Sequence, residues 1–168
     1  FTDQHGYFLR GIFGQSSVTG ASAPYTHSFT LSNSQPPSFT FFDYDGVNER
    51  NYTGAVLEEV ALKFTTEGEL DCSAKFQSKQ SAISGTPKTA AYGTDSFYLG
   101  YQAALTIAGS ANTKLIGGDL TFKRPVKMTF GANNSQAPTK VNVAEMEVTG
   151  KLDFEIEDYT ELNYYLNN

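Results

Sequence analysis

Along residues 143–157, VAEMEVTGKLDFEIE, apolar and polar positions alternate without a break. Ala144, Met146, Val148, Gly150, Leu152, Phe154 and Ile156 share one parity, while Glu145, Glu147, Thr149, Lys151, Asp153, Glu155 and Glu157 share the other. Successive side chains of a strand point to opposite faces, so the pattern predicts one long strand with an apolar side and an acidic side. No bulge is needed, and a slip of one residue would bury five carboxylates, which pins the register.

The rest of the chain supplies partners for that strand. In residues 4–13, QHGYFLRGIF, Phe8, Leu9, Ile12 and Phe13 fall on one face of a helix. Gly14 and the SSVTGASAP run after it predict a stop and a loop. Tyr25, His27, Phe29 and Leu31 alternate with Thr26, Ser28 and Thr30 as a strand, and residues 33–37 read as a turn. Residues 38–44, SFTFFDY, form a second strand that meets Asp45-Gly46, a two-residue hairpin signal, with the returning strand from Asn51.

Residues 56–64 fit a helical face through Leu57, Val60, Ala61 and Phe64, and a strand through Val60, Leu62 and Phe64. The next segment decides. Leu70, Cys72, Ala74 and Phe76 alternate with Asp71, Ser73, Lys75 and Gln77 after a turn at Thr66-Glu67-Gly68, so both runs are predicted to be strands of one hairpin. Residues 77–96 have no apolar period and predict a long loop, of a length that in a compact domain usually has a task.

Residues 97–107, FYLGYQAALTI, predict a strand with Tyr101, Ala103, Leu105 and Ile107 on one face, followed by a turn over 108–112. Residues 115–130 predict another long strand, with Leu120 and Phe122 inward and Pro125 marking an edge or an irregularity. Residues 131–139 form a second loop. Residues 158–168 predict a terminal helix whose Leu162, Tyr165 and Leu166 lie back on the sheet. The sum is mainly β: an antiparallel β-sandwich or barrel of about seven or eight strands with short flanking helices.

Composition narrows the function classes. A chain of 168 residues is long enough for one domain with a real core. Its net charge of −6 argues against groove-type nucleic-acid binding, which needs a clustered basic footprint. The single cysteine, Cys72, excludes an intrachain disulfide and a multi-cysteine metal site, and its inward parity reads as a buried free thiol. No apolar run is long enough to span a bilayer and there is no signal-peptide pattern, so no membrane partner is expected. The chain lacks a starting Met and opens inside an amphipathic element, which points to an upstream portion removed or to a piece of something longer.

Catalytic constellations are thin, so no catalytic residue, metal site or cofactor is assigned. His5 and His27 are the only histidines, and neither stands near a Ser or Cys in a nucleophile-elbow pattern. Residues 43–49, DYDGVNE, supply oxygen ligands, but their spacing is not that of an EF-hand loop and Asp-Gly explains a turn. Asn51-Tyr52-Thr53 and Asn133-Asn134-Ser135 match the glycosylation acceptor pattern without a secretory signal beside them. The acidic row carries more. In a lone domain it is a solvated face of an ordinary sandwich. In a ring of subunits that turned it inward, it would line a channel with carboxylates that let DNA slide past without sticking.

FFDYDGVNERNYTGAVLEEVAL, GELDCSAKF, YQAALTIAGSANTKLIGGDLTFKR and EVTGKLDFEIED, from about Tyr25 to the end, resemble the tail tube (major tail) proteins of long-tailed phages and prophages. The resemblance implies a structural subunit, with no active site, that polymerises into stacked rings forming a β-lined conduit for DNA ejection. It implies a lumen-facing acidic row of Glu145, Glu147, Asp153, Glu155 and Glu157, and an inter-ring contact loop that includes Ser84, Gly85, Lys88 and Tyr92. Implied partners are further copies of the chain and other tail proteins such as tape measure, terminator and tail tip, with genomic DNA only passing through. The implied location is the virion tail, and the bacterial cytoplasm during assembly.

Tyr7-Phe8-Leu9 echoes Tyr164-Tyr165-Leu166, so residues 1–14 are expected to be the closing helix of a preceding unit and residues 15–168 the tube-like domain. Two rival classes stand beside this one. A carbohydrate-binding or adhesive β-sandwich would use Tyr92, Phe97, Tyr98 and Tyr101 as an aromatic platform, although Trp is absent. An enzyme on a β-barrel would need a dispersed site.

Overall fold

The computed structural model describes residues 2–23, 25–84, 87–89, 97–107, 109–135, 137–155, 159 and 163. Its elements are α1 (Thr2–Phe13), β1 (Gly14–Thr19), β2 (Thr26–Leu31), β3 (Phe39–Tyr44), β4 (Glu49–Thr65), β5 (Asp71–Gln77), β6 (Ala82–Ser84), β7 (Leu105–Ile107), β8 (Ser110–Asn112), β9 (Leu115–Lys123), β10 (Val126–Thr129), β11 (Lys140–Val143) and β12 (Glu147–Phe154). The fold is mainly β, with several antiparallel sheets and, among the described residues, one short α-helix.

The 17-residue β4 is the spine, and it changes partners along its length. From Glu49 it pairs with β3 and β6; from Val56 it pairs with β5 and β9. Gly54, at φ +63°, stands at the changeover, in backbone that side-chain-bearing residues rarely adopt. A bulge between Leu57 and Glu59 follows, and it lets Leu57 and Val60 both point into the core. β9 pairs in turn with β12, so the second half of β4 lies inside a four-stranded antiparallel sheet, β12–β9–β4–β5. Three two-stranded ribbons, β1–β2, β7–β8 and β10–β11, accompany it.

The core lies where α1 crosses this sheet. Ile12, Leu57 and Val60 are fully buried, with Phe8, Phe13, Phe39, Cys72, Ala74, Phe122 and Met146 packed around them. Phe13 meets Phe122 edge-on at 5.1 Å. Each such aliphatic side chain contributes about 1.5–3 kcal/mol by leaving water. Arg124, only 5 % exposed, ties the periphery to this core. Its guanidinium donates to the carbonyls of Ser32 (2.9 Å), Ile12 (3.4 Å) and Ala144 (3.4 Å), while burial pushes its pKa down. The Ile12 carbonyl belongs to the last turn of α1, where acceptors lack helical partners and the dipole favours a cation.

Several sequence expectations need correction. The unbroken strand over 143–157 is two elements: Val143 closes β11 against β10, and β12 starts at Glu147. Between them the Ala144 N–H donates to the Pro125 carbonyl (2.9 Å) and Met146 turns into the core. A register shift at Asp153/Phe154 supplies the bulge that the alternation did not require. Residues 115–130 likewise divide at Arg124-Pro125, where Pro125 has no N–H for a ladder and Arg124 is drawn inward.

Residues 97–107 are not one strand. Leu99 makes a single bridge to Glu69, a 3-10 turn covers Gly100–Gln102, and the strand is confined to Leu105–Ile107, in a hairpin with β8 rather than a plain turn. A Cβ at Gly100 would lie 1.8 Å from the Thr65 carbonyl oxygen, so two backbones cross there. Residues 14–19, expected as loop, are β1: this strand of the ribbon with β2 is itself polar and exposed, so it carries no alternation to read.

The Asp45-Gly46 turn has four residues between the Tyr44–Glu49 pair, closed by the Asp45 carboxylate accepting from Val47 N–H (2.9 Å) and Asn48 N–H (2.7 Å). Residues 82–84, inside the expected long loop, pair with β4. Among the described residues no sheet closes into a barrel: β12 and β5 each keep one side without a strand partner. The expected C-terminal helix lies outside the described residues except Tyr159 and Asn163, which are joined by an Asn163 N–H to Tyr159 carbonyl bond of 2.9 Å.

Candidate functional site

Three rows cross the polar face of β12–β9–β4–β5. The first is Glu147–Lys123–Glu59–Lys75, the second Thr149–Thr121–Ala61–Ser73, and the third Lys151–Asp119–Lys63–Asp71. Charge alternates along both outer rows and down every strand, so the face is a checkerboard of four acids and four lysines around a small, neutral centre line. Asp153 continues β12 beyond it. Directly opposed opposite charges favour each antiparallel pairing. Lys75 Nζ sits 2.6 Å from Glu59 Oε1, and Lys151 Nζ sits 2.6 Å from Asp153 Oδ1. These contacts hold both lysines above their ordinary pKa, first through the hydrogen bond and then through the charge.

Of the acidic row, Glu147 and Asp153 stand on this face. Glu145 is exposed in the link ahead of β12, and Glu155 is exposed just past it, its N–H donating to the Lys114 carbonyl (2.9 Å). Glu157 lies outside the described residues. Lys123 on the neighbouring β9 stands opposite Glu147, while Lys151 on β12 itself pairs with Asp153. Each strand carries an acid, a small residue two positions on, and a lysine four positions on: EVALK at 59–63, DCSAK at 71–75, DLTFK at 119–123 and EVTGK at 147–151. Antiparallel pairing of four such segments sets every acid against a lysine. That repeat was the available signal, and reading 143–157 alone misses it.

Two of the expected loop residues, Ser84 and Lys88, stand beside a second feature. Glu49 is 2 % exposed; one carboxylate oxygen accepts from the Lys88 N–H, and among the described residues Oε1 has no partner, as is true of Asn51 Oδ1 on the same strand. Ser84 pairs with Glu49 in register, and the Lys88 ammonium lies 5.6 Å from the Phe42 ring centre. Gly85 and Tyr92 lie outside the described residues.

Among the described residues, α1 covers the opposite, apolar face of the four-stranded sheet around Val60 and Phe122. Val148 and Leu152 on the β12 edge remain 50 % and 46 % exposed. On the β5 edge a cleft of about 450 Å³ opens, lined by Leu70, Cys72, Ala74 and Phe76 with His5, Phe8, Phe41, Phe97 and Tyr98. Burial pushes the Cys72 thiol pKa up. Phe97, Tyr98 and Tyr101 are exposed, with Tyr98 stacked on His5 at 6.3 Å.

Among the described residues, then, the β12–β9–β4–β5 sheet has two edges without a strand partner, an orderly charged face and an apolar face with half-exposed side chains, features that suit a subunit of an assembly. A family model for phage tail tube proteins matches residues 1–168, and the chain belongs to that family. Its role is therefore structural, in the tail tube of a phage. No individual curated protein matches the chain.

Proposed function

We propose that the chain polymerises into stacked rings and that the checkerboard face of β12–β9–β4–β5 lines the lumen through which DNA passes. The balance of that face carries the reading. A phosphate nearing one of its lysines also meets a carboxylate one strand away, about 5 Å, and the two fields cancel within the roughly 8 Å over which charge is felt at physiological salt. Such a wall has no run of cations to hold a polyanion. With Glu147 already counted in that balance, the other acids of the row, Glu145, Asp153, Glu155 and Glu157, tip it toward repulsion.

On this reading the open sheet joins its neighbours into a shared barrel, and the loop carrying Ser84, Gly85, Lys88 and Tyr92 contacts the next ring. Tape measure, terminator and tail-tip proteins are the other partners, in the virion and, before that, in the bacterial cytoplasm.

Negative-stain microscopy of concentrated protein tests assembly: tubes of uniform bore are expected, and a monomer at every concentration overturns the proposal. Replacing Glu145, Glu147, Asp153 and Glu155 by Lys should cost the isolated subunit only about 1 kcal/mol, since the sites are at or near the surface. In assembled tails it should slow DNA ejection, and unchanged ejection kinetics would show that this face is not the lumen. The cleft at Phe97 and Tyr98 favours one other reading, a carbohydrate-binding or adhesive module, which binding on a glycan array would support.

A further inference from the structure

The checkerboard does not have to stop at the edge of the subunit. Its outer rows end on β5 with Lys75 and Asp71 and begin on β12 with Glu147 and Lys151. In each row the last charge of one edge is opposite to the first charge of the other. Strand directions alternate across the sheet, so β5 of one copy laid beside β12 of an identically oriented copy is antiparallel.

We propose that neighbouring subunits, in the rings inferred above, join β5 to β12 in one register: Lys75 opposite the neighbour's Glu147, Ser73 opposite Thr149, and Asp71 opposite Lys151. Antiparallel geometry requires that stepping two residues up one strand means stepping two down the other, and these three pairs obey it. The competing registers do not serve. A one-residue slip sets charged against apolar positions. A slip by two either puts Asp71 against Asp153, or leaves Lys75 opposite Glu145, outside β12, and Asp71 opposite the neutral Thr149, so neither direction keeps both charge pairs within the paired strands. A slip by four puts Lys75 against Lys151, or Asp71 against Glu147.

The apolar side is compatible with this register. The same register brings the neighbour's half-exposed Val148 over Ala74 and Gly150 over Cys72, where the cleft on the β5 edge is open. The bridge from Glu69 to Leu99 and the Leu70 N–H to Tyr98 carbonyl bond (2.9 Å) occupy the edge just before Asp71, so the free stretch starts where the charges do.

Cysteine pairs read the register directly. In a Cys72→Ser background, Ser73→Cys with Thr149→Cys should oxidise to a ladder of covalent oligomers, whereas Ser73→Cys with Glu147→Cys or Lys151→Cys should not. A ladder from either of the latter pairs, or from none, overturns the register. Tubes seen in the same uncross-linked samples would then show that the tube reading survives without it. Charge exchange covers the case of a poorly folding double variant. Lys75→Glu alone and Glu147→Lys alone should each lose sedimentable assembly, and a one-to-one mixture should regain it, because alternating copies restore both pairs. Mixing leaves contacts within each subunit unchanged, so recovery can come only from pairing between copies, and failure to recover in variants that keep the wild-type urea midpoint refutes the pairing.

Discussion

The two faces of the β12–β9–β4–β5 sheet are built from the same four strands and obey opposite rules. On one, Val60 and Phe122 lie under α1 with Ile12 and Leu57, and specificity comes from shape. On the other, eight charges sit at or near the surface, and specificity comes from the order of signs. Interiors are packed to the density of crystals, so they tolerate little change in volume. Exposed ion pairs are weak and screened, each typically worth under about 1 kcal/mol, so they discriminate between partners more than they stabilise a fold.

The largest effect should therefore come from the shape side. Leu57→Ala removes a fully buried side chain at the bulge where β4 turns into the core, and should destabilise the subunit by about 2–5 kcal/mol. Urea unfolding followed by circular dichroism measures it. A loss below 1 kcal/mol would mean that α1 is not packed on β4 as described.

Arg124 sharpens the contrast, because it is a charge that belongs to the buried side. Arg124→Met keeps much of the volume but leaves the carbonyls of Ile12, Ser32 and Ala144 without their donor. We expect a loss of about 1–3 kcal/mol. Protection of the Ala144 amide against hydrogen exchange should fall as well, because the link around it loses its anchor. Wild-type stability in this variant would show that water satisfies those carbonyls and that the guanidinium ties nothing together.

Legibility in the sequence followed the same division. The short alternating runs of β2, β3, β5 and β12 were readable because one face of each is apolar and period two survives. So was α1, whose Phe8, Ile12 and Phe13 stripe reaches the core. What failed were joints set by distant groups. The break at Arg124-Pro125 depends on carbonyls at residues 12, 32 and 144, and the break at Gly100 depends on the backbone at Thr65. The polar ribbon β1 carried no period to read. The charged face was half visible. Its acids on β12 were evident, but neutralising lysines on β5, β9 and β4 come from other segments, and their common four-residue spacing becomes meaningful only once antiparallel order sets one segment against the next.

The smallest effect belongs to the charged face and has a defined sign. Lys75 and Lys151 are held above their ordinary value of 10.5 by Glu59 and Asp153. A lysine whose pKa rises on folding adds stability that is fully present below its unfolded value and is lost as pH climbs through the folded one. Between pH 7 and 9 the urea midpoint should accordingly be unmoved by these two residues, and above about pH 10.5 it should begin to fall. The double variant Lys75→Met, Lys151→Met should lack this part of the decline. The same decline in the variant would place its cause elsewhere, and the lysines would then have no measurable coupling to their carboxylates. Because both side chains are exposed and screened, the shift should be small beside the loss from Leu57→Ala. In assembled protein it should grow, since the proposed register gives each lysine a second carboxylate or extends its row into the next copy. A steeper alkaline decline for tubes than for subunits would thus place these charges at the joint as well as on the wall.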